Sequence, residues 1–171
     1  MKTKTSSAKL CFRSSRHVSP NVRVILFPGR FQPFHNGHCR ILSRLLRRYA
    51  KVIVVLGSCD LNGADHPFSP ALRKKMIRAC FPKSKNLFFA AIPFAPDRMW
   101  VKTLLKKVPR RRFDAVFTNN PRVQKQLKKA GIAFICGPLY RRNLWQGKTI
   151  RKKRDWTPAV PKAVARLKPR A

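Results

Sequence analysis

At 171 residues and 44% hydrophobic content, the chain has the size of one domain and enough apolar material for a single core. Against 40 lysines and arginines stand 5 acids, all aspartate, for a formal net charge of +35; repulsion on that scale opposes compaction unless a polyanion screens it, so RNA or another polyanion is an expected partner. The longest apolar runs, 52–56 and 87–92, are far too short to cross a bilayer, and Cys11, Cys39, Cys59, Cys80 and Cys136 form no close pair of zinc-site or redox spacing, so a membrane span is excluded and reduced cytoplasmic thiols are expected.

Residues 1–21 are rich in Ser, Lys and Arg and contain no acid, which reads as a basic tail, either an RNA-binding arm or an organellar transit segment. From Val22 onward, short apolar runs alternate with longer basic amphipathic stretches, the pattern of parallel strands joined by helices. The first strand is expected over 22–27. A glycine-containing connection then leads to 37–49, where Ile41, Leu42, Leu45 and Leu46 share one helical face and Arg40, Arg44, Arg47 and Arg48 the other. Strands follow at 52–57, 86–92, 114–118 and 133–136, interleaved with helices at 70–79, 99–107 and 121–130, the last stopped by Gly131. This order predicts an α/β fold, a Rossmann-like doubly wound parallel sheet forming a single domain over 22–157, with its ligand crevice beyond the carboxyl ends of the strands. Residues 148–154 are a basic run, and 158–171 read as a basic tail or a terminal helix broken by Pro161 and Pro169.

The segment between the first strand and the first helix carries the chemistry: Gly29, Arg30, Phe31, Gln32, Pro33, Phe34, His35, Asn36, Gly37, His38. Gly29 permits close backbone approach, Gly37 would let a ligand lie against the helix start, and the free N–H groups of that first turn attract anions. Two histidines three residues apart can both face a bound polyphosphate and stabilise charge that develops on it. The competing reading of such a pair is helix capping or core packing. The Gly-Arg-Phe-Gln-Pro-Phe-His context favours the phosphate site.

These ten residues resemble, without a mismatch, the opening motif of the His-x-Gly-His nucleotidyltransferases, and within them the archaeal-type nicotinamide-mononucleotide adenylyltransferases. The similarity continues at Gly57 and Ser58, at Pro67, Phe68 and Ser69 with Arg73, Met76 and Ile77, and at Trp100. It resumes at Asn120, Pro121, Val123 and Gln124, then at Pro138, Leu139 and Tyr140, and at Gly147, Ile150 and Arg151, so that it covers roughly 22–164. The resemblance implies that the phosphate of nicotinamide mononucleotide attacks the α-phosphorus of ATP, giving NAD and pyrophosphate, with Mg²⁺ carried on the ATP and no metal ligands in the chain. It implies that His35, His38 and Arg30 act on the phosphates and that Gly29, Phe31, Gly37, Lys148 and Arg151 bind ATP. Trp100 would stack on the nicotinamide ring, and Asn120 would lie near the bound nucleotides. For Trp100 the alternative is core packing.

Two departures from the family pattern stand out. Where the family reads Gly-Glu-Arg this chain has Ala71, Leu72 and Arg73, losing an acid beside a retained arginine. Where the family has Ser-Gly-Thr, with hydroxyls on phosphate, this chain has Gln146, Gly147 and Lys148, and a lysine supplies a point charge rather than a placed hydroxyl. Together with the charge, these changes raise a second expectation, a nucleotidyltransferase fold serving as a basic RNA-binding component of a ribonucleoprotein. Such binding would be electrostatic and unspecific in sequence.

Overall fold

The computed structural model describes residues 22–138, 140, 144–153 and 155–167, together with the backbone of 13 and 14. Five parallel strands, β2 (Val24–Gly29), β3 (Lys51–Leu56), β4 (Leu87–Ala91), β5 (Ala115–Phe117) and β6 (Phe134–Cys136), form the sheet expected from the sequence, with boundaries moved by one or two residues. A sixth, two-residue strand, β1 (Arg13–Ser14), adds antiparallel to the β6 edge, so part of the segment read as a tail joins the sheet. The rest of that segment, 1–12 and 15–21, lies outside the described residues, as does 168–171. Spatial order is β1-β6-β5-β2-β3-β4. The chain therefore steps outward from β2 to β3 and β4, then returns to the other side of β2 for β5 and β6. The reversal lies between β2 and β5, the position at which doubly wound sheets take their ligands beyond the strand ends.

Side chains alternate along each central strand, which puts two apolar sets on opposite faces of the sheet. Ile25, Phe27, Val52 and Val54 pack with Leu42 and Leu45 of α1 (Asn36–Arg48) and Met76 and Ile77 of α2 (Pro70–Cys80). Leu26, Ile53 and Val55 pack with Leu104 of α3 (Asp97–Lys107) and Leu127 of α4 (Pro121–Lys129). Helix starts follow local chemistry: Ser69 caps α2 by accepting the Leu72 N–H at 3.2 Å, with Pro70 in the first turn. Gly131, at φ 63°, ends α4 where the sequence places the stop.

The C-terminal region departs from expectation. Within the basic run, 147–151 forms a short helix, α5 (Gly147–Arg151), whose Ile150 is fully buried. Beyond it come a 3₁₀ turn (Thr157–Ala159) and α6 (Lys162–Ala165), which begins directly after Pro161. Val160 and Val164 are buried in the same core as α1 and α2, and the Trp156 ring lies 6.0 Å from that of Phe68. Of the stretch 158–167, read as a tail or terminal helix, Ala159, Val160 and Val164 are buried, while Pro158, Lys162 and Arg166 stay exposed. No described helix is long and apolar enough to cross a membrane.

Candidate active site

The turn after β2 is built around aromatic packing. A Cβ on Gly29 would lie 2.7 Å from the Phe31 ring, so only glycine lets that ring fold back under the strand end. Phe31 itself adopts φ 51° and is buried against Phe27 at 5.4 Å and Phe34 at 6.0 Å. Gln32 is also buried, and the Gln32–Pro33 peptide is cis. Its side-chain amide donates to the Phe68 carbonyl and accepts from the Phe68 N–H, both at 3.0 Å. That two-way pair ties the β2–α1 turn to the loop preceding α2.

His35 is the N-cap of α1. The His38 N–H donates to His35 Nδ1 at 3.3 Å, and the His35 N–H donates to His38 Nδ1 at 3.4 Å, a reciprocal capping box made by two imidazoles. The rings stack with centroids 3.6 Å apart at 19°. Both Nδ1 atoms act as acceptors, so the neutral tautomer of each ring carries its proton on Nε2 and can donate from there. Burial lowers the pKa of His35 to about 4. Burial, followed by repulsion from His35, holds His38 well below the usual imidazole range. The cause is visible around His38, whose ring lies 4.9 Å from Phe31 and 5.7 Å from Phe34. A Cβ on Gly37 would lie 3.1 Å from the His35 ring and 3.7 Å from Trp145. Gly37 therefore makes room for the histidine stack; the space above it, expected to admit a ligand, is taken by His35 and Trp145.

Three arginines converge on the neighbouring loops. Arg73 is fully buried and donates from Nη1 to the carbonyls of Arg30 at 2.8 Å and Gly57 at 2.7 Å, and from Nη2 to Ser58 at 3.4 Å. Its Nε has no partner among the described residues, and burial lowers its pKa. Arg151 donates from Nη1 to the Gln32 carbonyl at 2.8 Å and from Nη2 to the Asp65 carboxylate. The Arg30 side chain is exposed, close enough to Asp65 and His66 to shift both of their ionisations.

Comparison with known proteins decides the family. The cytidylyltransferase-like family matches over residues 26–166. Nicotinamide-nucleotide adenylyltransferase of Methanocorpusculum labreanum is 36% identical over 147 residues, covering 81% of this chain and 86% of that protein. The protein of the same name from Picrophilus torridus is 34% identical over 147 residues, with the same coverage. The chain belongs to this archaeal-type adenylyltransferase family. Among solved structures, a bifunctional NMN adenylyltransferase/ADP ribose pyrophosphatase of Francisella tularensis, bound to AMP and a manganese ion, aligns at TM-score 0.62 and 21% identity. The match covers 77% of this chain and 41% of that one, and supports the fold. None of these relatives is named as an RNA-binding protein, so they lend no support to the ribonucleoprotein expectation.

With the family pattern in hand, the site residues sort by position. Gly29, Arg30, Phe31, His35, Gly37 and His38 come together at the β2–α1 turn, and Arg151 joins them through the Gln32 carbonyl. Phe31 is 1% exposed as a whole residue, backbone included. Lys148 projects from the start of α5 and is exposed. Trp100 is half-buried in α3 against the second core cluster. Asn120 caps α4 with Oδ1, accepting the Arg122 N–H at 3.0 Å. Its neighbour Asn119 accepts the Gly137 N–H at 2.9 Å and so joins the ends of β5 and β6. Sequence reasoning missed Asn119, Asp65 and His66. The signal for Asp65 was its rarity, since it is one of only five acidic side chains in the chain.

Proposed function

We propose that the chain transfers the adenylyl group of ATP to nicotinamide mononucleotide. A phosphate oxygen of nicotinamide mononucleotide attacks the α-phosphorus, the bond from that phosphorus to the bridging oxygen breaks, and pyrophosphate leaves with the electron pair. The products are NAD and pyrophosphate. The observation that carries this reading is the stacked histidine pair at the β2–α1 turn, beside the crevice where the strand order reverses. Each ring is neutral, and each is fixed with its Nδ1 engaged and its Nε2–H available to phosphate oxygens. Fixed donors of this kind stabilise charge developing on the leaving phosphates without reorganising.

Arg30 and Lys148, both exposed, are the cations best placed to meet phosphate, and Arg151 reaches it by exchanging Asp65 for the ligand. Trp100, half-buried in α3, would supply the nicotinamide contact, and Asn120, the N-cap of α4, would lie near the bound nucleotides. The metal would be Mg²⁺ arriving as part of MgATP. Its charge is spread over the phosphate oxygens of the substrate. His38→Ala is expected to lower the turnover number for NAD formation by at least ~10²-fold. Circular dichroism would confirm that the variant is folded, and an unchanged rate would contradict the assignment.

A further inference from the structure

Helix α1 has a second built face. Arg40, Arg44 and Arg47 lie at i, i+4 and i+7 on the side turned away from the buried Ile41, Leu42 and Leu45. With Cys39, Ser43 and Tyr140 they line an open cavity of about 360 Å³. The arginines are held in place: Arg40 lies 5.7 Å and Arg44 5.2 Å from the Tyr140 ring centroid, and Arg40 lies 5.3 Å from that of Trp145. Arg47 donates to Ser43 Oγ at 2.8 Å. The Tyr140 hydroxyl is buried with no hydrogen-bond partner among the described residues.

Three guanidiniums around one cavity repel each other, and every acid of the chain is placed elsewhere. Asp65 pairs with Arg151, Asp114 accepts the Arg23 and Val24 N–H groups, Asp60 accepts the Phe94 N–H and Asp155 binds Thr157. Asp97 lies in the first turn of α3, which packs on the opposite face of the sheet from α1. Among the described residues the cavity therefore has placed cations, a hydroxyl without a partner and no counter-charge.

We infer that Arg40, Arg44, Arg47 and the Tyr140 hydroxyl form a binding site for phosphate groups, separate from the nucleotide crevice. Guanidinium forks match phosphate oxygens in shape and charge, and the aromatic platforms reduce the entropy lost in binding. The phosphates come either from a free polyphosphate or from a nucleic-acid backbone, and the same side chains recognise both.

The test is fluorescence anisotropy with a labelled single-stranded RNA dodecamer, and calorimetry with inorganic tripolyphosphate. It uses the full chain, an R40Q/R44Q/R47Q variant and a charge-matched K125Q/K128Q/K129Q variant of α4. The arginine variant is expected to weaken binding of at least one probe by tenfold or more, and the lysine variant by less than threefold. A loss confined to tripolyphosphate identifies a free ligand. A loss on RNA, with the log–log salt slope reduced by about 2 for three phosphate contacts on a single strand, identifies a backbone. Tyr140→Phe keeps the ring and its stacking and is expected to lose about threefold on the same probe. Equal losses in the two triple variants on both probes would overturn the site and leave only diffuse charge.

Discussion

A histidine can serve as a phosphate donor or as a helix cap, and sequence alone presents these as rivals. In this chain the capping box is the arrangement that the proposed donor role would use. The capping bonds consume Nδ1 of both rings, and that engagement is what fixes the proton on Nε2. Long-range ¹⁵N correlation spectra of the unliganded protein at pH 7 are therefore expected to show both rings neutral, with the proton on Nε2. An imidazolium signature at either position would refute the donor assignment. The same burial links stability to pH. Burial holds both folded imidazoles below their ordinary value of 6.5, His35 at about 4, so on acidification the unfolded chain takes up protons that the folded one refuses. Stability is fully present above about pH 7 and falls as pH drops toward 4, by on the order of 3 kcal/mol from His35 alone. Urea titrations between pH 8 and pH 4 check this. With only five carboxylates in the chain, a flat profile cannot be blamed on compensating acids.

The elements around the histidines are fastened by arginines, and this layer was only partly legible. The sequence marks Arg73 as an arginine that has lost its neighbouring acid, but not that it is buried on three carbonyls that hold the turns after β2 and β3 together. Arg73→Met leaves those carbonyls without their donor and is expected to cost about 3 kcal/mol in urea unfolding, since each buried unsatisfied group costs about 1–3 kcal/mol. Full retention of stability would show that the loops hold without it. Asp65 acts differently. Its side chain is 76% exposed, so Asp65→Asn is expected to leave stability nearly unchanged. Freed of its acid, Arg151 is expected to bind the ATP phosphates more tightly, lowering the ATP Kd about threefold by calorimetry; a weaker Kd would show that Asp65 positions Arg151 rather than competing for it. The sheet and α1 to α4 were legible because alternation and helical period run long enough to be read. The short α5 was not, since five residues among lysines carry too little periodicity and only the buried Ile150 reveals it; α6 lies within the terminal helix that the sequence offered between Pro161 and Pro169.

For the whole molecule, a family fold carries a charge of +35 with one ion pair, Arg151 with Asp65, among the described residues. Repulsion between so many like charges lowers stability at low ionic strength, and multivalent anions should recover it. Raising sodium sulfate from low to moderate concentration is expected to increase Tm, and more so than sodium chloride at equal ionic strength; a fall in Tm would show that local pairing, not net charge, governs stability. The central claim is that an intact histidine turn on this fold still transfers adenylyl groups, although Gln146 and Lys148 replace the family's hydroxyls. The most direct measurement is calorimetric titration of nucleic-acid-free protein with MgATP and then nicotinamide mononucleotide, followed by quantification of NAD and pyrophosphate. Binding of both nucleotides with NAD and pyrophosphate released in equal amounts is the predicted result. A folded protein that binds neither nucleotide and forms no NAD would contradict it.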